Sequence, residues 1–134
     1  MPRTAIALLL LAAAPFAQAE ELSPAQLDAA RQVYLGDAQC EFKQVVTVSA
    51  IEGQPGHFTL QYKKARYTLT PEPTSTGAIR LEDRQAGIVW LQIPAKSMLL
   101  NAKQGRREVD GCLHAEQRAE AAHSSAPSIG IAAR

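Results

Sequence analysis

The sequence predicts an all-β domain: a small antiparallel barrel of seven to eight strands, with one short helix before it and a flexible C-terminal tail after it. Three observations predict it. Between Cys40 and Cys112, apolar and polar side chains alternate with a period of two. Turn residues break that alternation about every 8 to 12 residues. The two cysteines of the chain stand at the two limits of the pattern. The spacing suits a barrel or a sandwich, and the barrel is preferred because closure removes exposed strand edges.

The chain opens on a single charge, Arg3, followed by an apolar run from Ala5 to Ala14 and the small-residue exit Ala17-Gln18-Ala19. This is the pattern of a secretory signal peptide over residues 1–19, cleaved after Ala19. The run is well short of the roughly 20 apolar residues that cross a bilayer. No cysteine stands at the cleavage point, where Glu20 follows Ala19, so nothing marks a lipid-anchored form, and no membrane anchor is expected. In the N-terminal segment 20–39, Ser23 is placed to cap, Pro24 to occupy the first helical position and Gln26 to complete a capping box. The apolar stripe through Leu27, Ala30 and Tyr34 predicts a helix over Pro24 to Leu35, stopped by Gly36-Asp37.

The barrel domain is expected over 40–112. Val46, Val48 and Ala50 share one face of a strand over Val45 to Ile51, and Gly53-Gln54-Pro55-Gly56 turns the chain. Phe58, Leu60 and Tyr62 alternate with Thr59 and Gln61, and Ala65, Tyr67 and Leu69 with Arg66 and Thr68. Pro71 to Gly77 reads as a loop, because its two prolines cannot donate ladder hydrogen bonds. Strands resume over Ala78 to Glu82, over Ile88 to Ile93 (apolar on both faces and containing Trp90), over Ser97 to Ala102 and from Arg106 to Val109. Residues 113–134 lose the strand pattern and read as a flexible tail, with a frayed helix possible over Ala115 to Ala122.

Without Arg3 the mature chain is close to neutral, so no global field points to nucleic acid or to an anionic membrane. In an oxidising compartment Cys40 and Cys112 are most simply a structural disulfide; the other readings are two free thiols or a metal pair. A bridge over that span contributes about 4 kcal/mol in the chain-entropy description. His57, His114 and His123 lack metal-ligand spacing, and no phosphate loop, nucleophile elbow or zinc-protease motif occurs. Glu82-Asp83 sits between Arg80 and Arg84 as a charge-balanced strand end. Neither an enzyme nor a small-molecule cofactor is expected.

Two basic clusters, Lys63-Lys64-Ala65-Arg66 and Arg106-Arg107, read more simply as solubilising connections than as anion sites. The best candidate site is the hydroxyl-rich loop Thr74, Ser75, Thr76 and Gly77, stiffened by Pro71 and Pro73. A preorganised loop loses little entropy on docking, and hydroxyls donate well to carboxylates. The plainer reading is an ordinary exposed turn.

The order Cys40, alternating strands to Leu69, Thr74-Ser75-Thr76-Gly77-Ala78, Trp90, Met98-Leu99-Leu100 and Cys112 resembles the MliC/PliC family of Gram-negative envelope inhibitors of c-type lysozyme. The resemblance implies an eight-stranded barrel in the periplasm whose hydroxyl loop plugs the lysozyme cleft and hydrogen-bonds its catalytic carboxylates. It also implies a cationic contact. Here Ile79 and Arg80 replace the family's Arg-Tyr, and Trp90-Leu91-Gln92 replaces Trp-x-Lys, which leaves Arg80 or Lys96 to supply the charge. The competing expectation is a non-catalytic envelope binding module of unknown ligand on the same barrel, with the N-terminal helix as a docking element.

Overall fold

The capping pair expected at the helix start forms: the Ser23 N–H donates to Gln26 Oε1 (2.8 Å) and the Gln26 N–H to Ser23 Oγ (3.2 Å). In this computed structural model, residues 12–13 and 21–125 are described. The expected signal peptide (apart from 12–13), its cleavage point and residues 126–134 lie outside the described residues. Helix α1 spans Pro24–Ala30 and is shorter than expected. It ends early because tertiary bonds replace helical ones: Gln92 accepts from the Tyr34 N–H (2.9 Å) and donates to Gln32 O (2.8 Å), holding 32–34 against the barrel.

The expected helical segment 20–39 is corrected at its end, where Gly36–Gln39 forms strand β1. Four residues with one buried side chain, Ala38, are too few to show a period of two. Strands β2 (Val45–Ala50), β3 (Phe58–Tyr62), β4 (Ala65–Glu72), β5 (Ile79–Asp83), β6 (Ile88–Gln92), β7 (Ser97–Asn101) and β8 (Arg106–Cys112) follow. Each pairs antiparallel with the next, in chain order. The expected loop from Pro71 therefore starts later, since Pro71 and Glu72 belong to β4. Pairing with β3 stops at Phe58↔Leu69, so Pro71 has a ladder partner, Leu81, on one side only, where a missing N–H is tolerated.

The barrel is nearly closed. A single bridge joins its first and last strands: the Gln39 N–H donates to Leu113 O (3.0 Å) and the Leu113 N–H to Gln39 O (2.8 Å). The next residues, Cys40 and Cys112, are disulfide-bonded. Val46, Val48, Leu60, Leu69, Leu81, Leu99, Val109 and the wholly buried Trp90 fill the interior.

The helix allowed for over Ala115 to Ala122 forms and runs on to Ser125, so the flexible tail expected over residues 113–134 is corrected as far as 125. Helix α2 spans Ala115–Ser125. His114 and Gln117 at its start are fully buried. Gln117 accepts from the His114 N–H (2.9 Å), a reach-back bond of the capping-box kind, and donates to Ile93 O and Ser97 Oγ (2.9 Å each). Polar bonds rather than an apolar stripe dock this helix, so hydrophobic periodicity could not announce that it packs on the barrel.

An up-and-down barrel sends alternate connections to opposite ends. Connections 51–57, 73–78 and 93–96 share one end, where Gln26 donates to Pro71 O (2.8 Å) and Gln117 reaches Ile93. Connections 40–44, 63–64, 84–87 and 102–105 share the other.

Candidate functional site

The hydroxyl loop joins β4 to β5 at the end that carries the helices. Gly77 takes a φ of 81° with no atom near the position a Cβ would fill, so the backbone turn, not crowding, calls for glycine. Thr74 Oγ1 donates to Ala78 O (2.6 Å), and the Ala78 N–H donates to Thr76 Oγ1 (3.4 Å). The loop is thus bonded to itself. The Thr74 proton is used inside the loop, whereas Thr76 accepts and keeps its own O–H free to donate. Ser75 is exposed and makes no hydrogen bond among the described residues. Two outward donors, Ser75 and Thr76, stand on a stiff turn above a shallow depression lined by Glu72, Arg80, Leu91 and Ile93.

The two expected cationic contacts are engaged elsewhere. Arg80 pairs with Glu82 (2.7 Å) on its own strand. Lys96 Nζ lies 3.1 Å from Asp110, which also binds Arg107. Burial alone would raise the Asp110 pKa; the hydrogen bond from the Gly111 N–H, then those from Lys96 and Arg107, outweigh it and hold the carboxyl below its ordinary range. Arg80 borders the loop's depression, while Lys96 is turned towards β8.

Gln92 follows Trp90-Leu91 and is buried, with both ends of its amide spent on the α1–β1 linker. Ile79 is also buried. Neither offers a group to a partner. Among the described residues no hydrogen bond joins Thr74, Ser75 or Thr76 to a histidine, lysine or carboxylate, so the arrangement can present donors but shows no activated nucleophile.

No family model, no curated protein and no solved structure matches this chain.

Sequence reasoning missed His114, whose only signal was its nearness to Cys112. It sits inside the barrel mouth, with Nε2 3.1 Å from Gly36 O and its ring edge-on to Trp90 (6.2 Å between centroids). Because Gly36 O can only accept, Nε2 carries the proton and Nδ1 is left as an acceptor. Burial pushes the His114 pKa down, against the opposing bond to Gly36. Among the described residues there is no cluster of three or more metal-ligating side chains, and no helix is long and apolar enough to cross a membrane.

Proposed function

We propose that this protein is a periplasmic, proteinaceous inhibitor of the c-type-lysozyme-inhibitor kind, which plugs a lysozyme cleft with the loop Thr74–Gly77. The observation that carries the reading is the self-bonded turn: it fixes Ser75 and Thr76 outward with two free O–H donors. Donors held in place before binding suit a pair of catalytic carboxylates, because such charge-assisted bonds are strong and little entropy is lost in making them. Catalysis by the inhibitor is not required; occlusion suffices.

The test is inhibition of cell-wall lysis by purified lysozymes of the c, g and i types. Stoichiometric inhibition of the c-type enzyme is expected. Ser75→Ala with Thr76→Ala should raise the inhibition constant at least about tenfold, at roughly 1 kcal/mol or more per lost bond, while Thr74→Ala acts only by loosening the turn. No inhibition of any lysozyme by folded protein ends this reading.

One observation favours a second reading, an envelope binding module for another ligand. Arg80 and Lys96 are neutralised by Glu82 and Asp110, and Gln92 is consumed by the linker, so the cationic half of a lysozyme contact is weak. Recovery from periplasm of a non-lysozyme partner that depends on α1 would favour that module.

A further inference from the structure

We infer that the end of the barrel opposite the hydroxyl loop is a docking surface for an anionic lipid bilayer, with Phe42 as the inserted side chain. This inference does not depend on the inhibitor reading.

Phe42 is the most exposed large apolar residue among those described, at 84%, and Val45 beside it is also exposed. Its backbone is held in the left-handed region, φ 56° and ψ 29°, and Lys43 follows at φ 58°. Glycine or asparagine normally fills such positions, because a Cβ there crowds the backbone. The turn is nevertheless enforced from several sides. The Gln44 N–H donates to Glu41 O (3.1 Å), the Asp110 N–H donates to Glu41 Oε1 (3.0 Å), and Cys40 is bonded to Cys112. A strained, firmly anchored turn that points an aromatic ring into water gains nothing for the fold from that ring. Strain of this kind is retained where it serves contact.

Charge at this end selects the partner. The four connections here carry Lys43, Lys63, Lys64 and Lys103 against one acid, Glu41, which is already bonded to Asp110; Arg84 also belongs to them but is paired with Glu72 and Glu82. Val46 pairs with Tyr62, which brings the turn at 40–44 alongside Lys63 and Lys64. Lys63 also takes a left-handed φ, 54°. Among the described residues Lys43, Lys63 and Lys64 have no ion-pair partner. An anionic polymer would satisfy the lysines and leave Phe42 in water. A bilayer supplies both phases in the required order, phosphates at the lysines and hydrocarbon just beneath for the ring. The lysines keep their heads at the surface while their stems lie along it.

The test is co-sedimentation of the protein beginning at Glu20, which lacks the apolar run Ala5–Ala14, with two kinds of vesicle. One is an equimolar mixture of phosphatidylglycerol and phosphatidylcholine, the other phosphatidylcholine alone. Binding to the anionic vesicles only, weakened by added salt, is expected. Lys63→Glu with Lys64→Glu should weaken it at least about tenfold, and Phe42→Ala roughly tenfold. Phe42→Gly should lose the same binding yet raise the thermal midpoint by about 2–6 °C, through relief of the left-handed strain. Equal binding to both vesicles, no binding, or undiminished binding by Phe42→Ala (the mark of a surface for polyanions such as glycans) would overturn the proposal. So would a lowered midpoint for Phe42→Gly, which would make the ring part of the fold.

Discussion

Gln117 and Ser97 share a hydrogen bond, 2.9 Å from Nε2 to Oγ, at a depth where neither residue has any exposed surface. The same amide reaches Ile93 O and takes the His114 N–H, so one side chain joins the helix start, the β6–β7 connection and β7. It closes the barrel mouth with polar bonds where an apolar plug might be expected.

Replacing Gln117 by Leu should therefore be costly although Leu is apolar. It strands the Ser97 hydroxyl, Ile93 O and the His114 N–H, and the expected loss is about 2–4 kcal/mol. Ser97→Ala, which removes only one partner, should cost about 1 kcal/mol. Urea unfolding measures both, and equal losses would mean that Gln117 does not act as the hub.

His114 gives the fold a pH dependence of definite sign. Its folded pKa lies below the ordinary 6.5, chiefly because burial disfavours the charged ring. Above that ordinary value the ring is neutral in both states and stability is complete. As pH falls below it the unfolded chain takes up a proton that the folded protein resists, so stability declines until the depressed folded pKa is reached. The thermal midpoint should fall between pH 7 and pH 5, and His114→Gln should flatten that slope. A wild-type midpoint that is level across this range would show that His114 keeps its ordinary pKa.

Removing the disulfide by Cys40→Ala with Cys112→Ala opens a loop with a sequence separation of 72. The expected loss is about 4 kcal/mol, enough to leave little of a small domain's total stability. The midpoint in urea should move strongly downward; a shift equivalent to under about 1 kcal/mol would mean that the residual bridge at Gln39 and Leu113 holds the seam unaided.

Trp90 is wholly buried, yet its Nε1–H has no hydrogen-bond partner among the described residues. Phe at this position loses volume but also spares an unpaired donor. Trp90→Phe should cost about 1–2 kcal/mol and Trp90→Ala about 3–5 kcal/mol. Comparable losses for the two would point to a bond made by the indole nitrogen.

Seven of the eight strands were legible because each is a short run bounded by turn residues, with core-facing side chains that alternate, as Phe58, Leu60 and Tyr62 do, or, in β6, an apolar run on both faces. The Ser23–Gln26 capping box was legible because its chemistry is local. What escaped depends on partners distant in the chain. Four-residue β1 is defined by the strand it joins, and the docking of α2, whose helical stretch over Ala115 to Ala122 was legible, rests on Gln117 bonding to residues on another connection. The same distinction runs through the site. The hydroxyl loop could be picked out by composition, but that Lys96 is spent on Asp110 and Gln92 on the linker could not, since both depend on contacts across the fold. Nor did the Phe42 turn announce itself, because Glu-Phe-Lys carries none of the residues that usually mark a left-handed backbone.

The seam between β1 and β8 has a consequence for where the chain can safely fold. Among the described residues, one backbone bridge, one sulfur–sulfur bond and the side-chain bonds Asp110–Glu41 and His114–Gly36 keep the ring from becoming an open ribbon, and only the sulfur–sulfur bond is covalent. With its thiols reduced, the same sheet would offer two unguarded margins, each a template for a neighbouring molecule. Oxidation of this single pair thus guards both margins at once, and the reduced chain is the form expected to pair edge to edge with its neighbours.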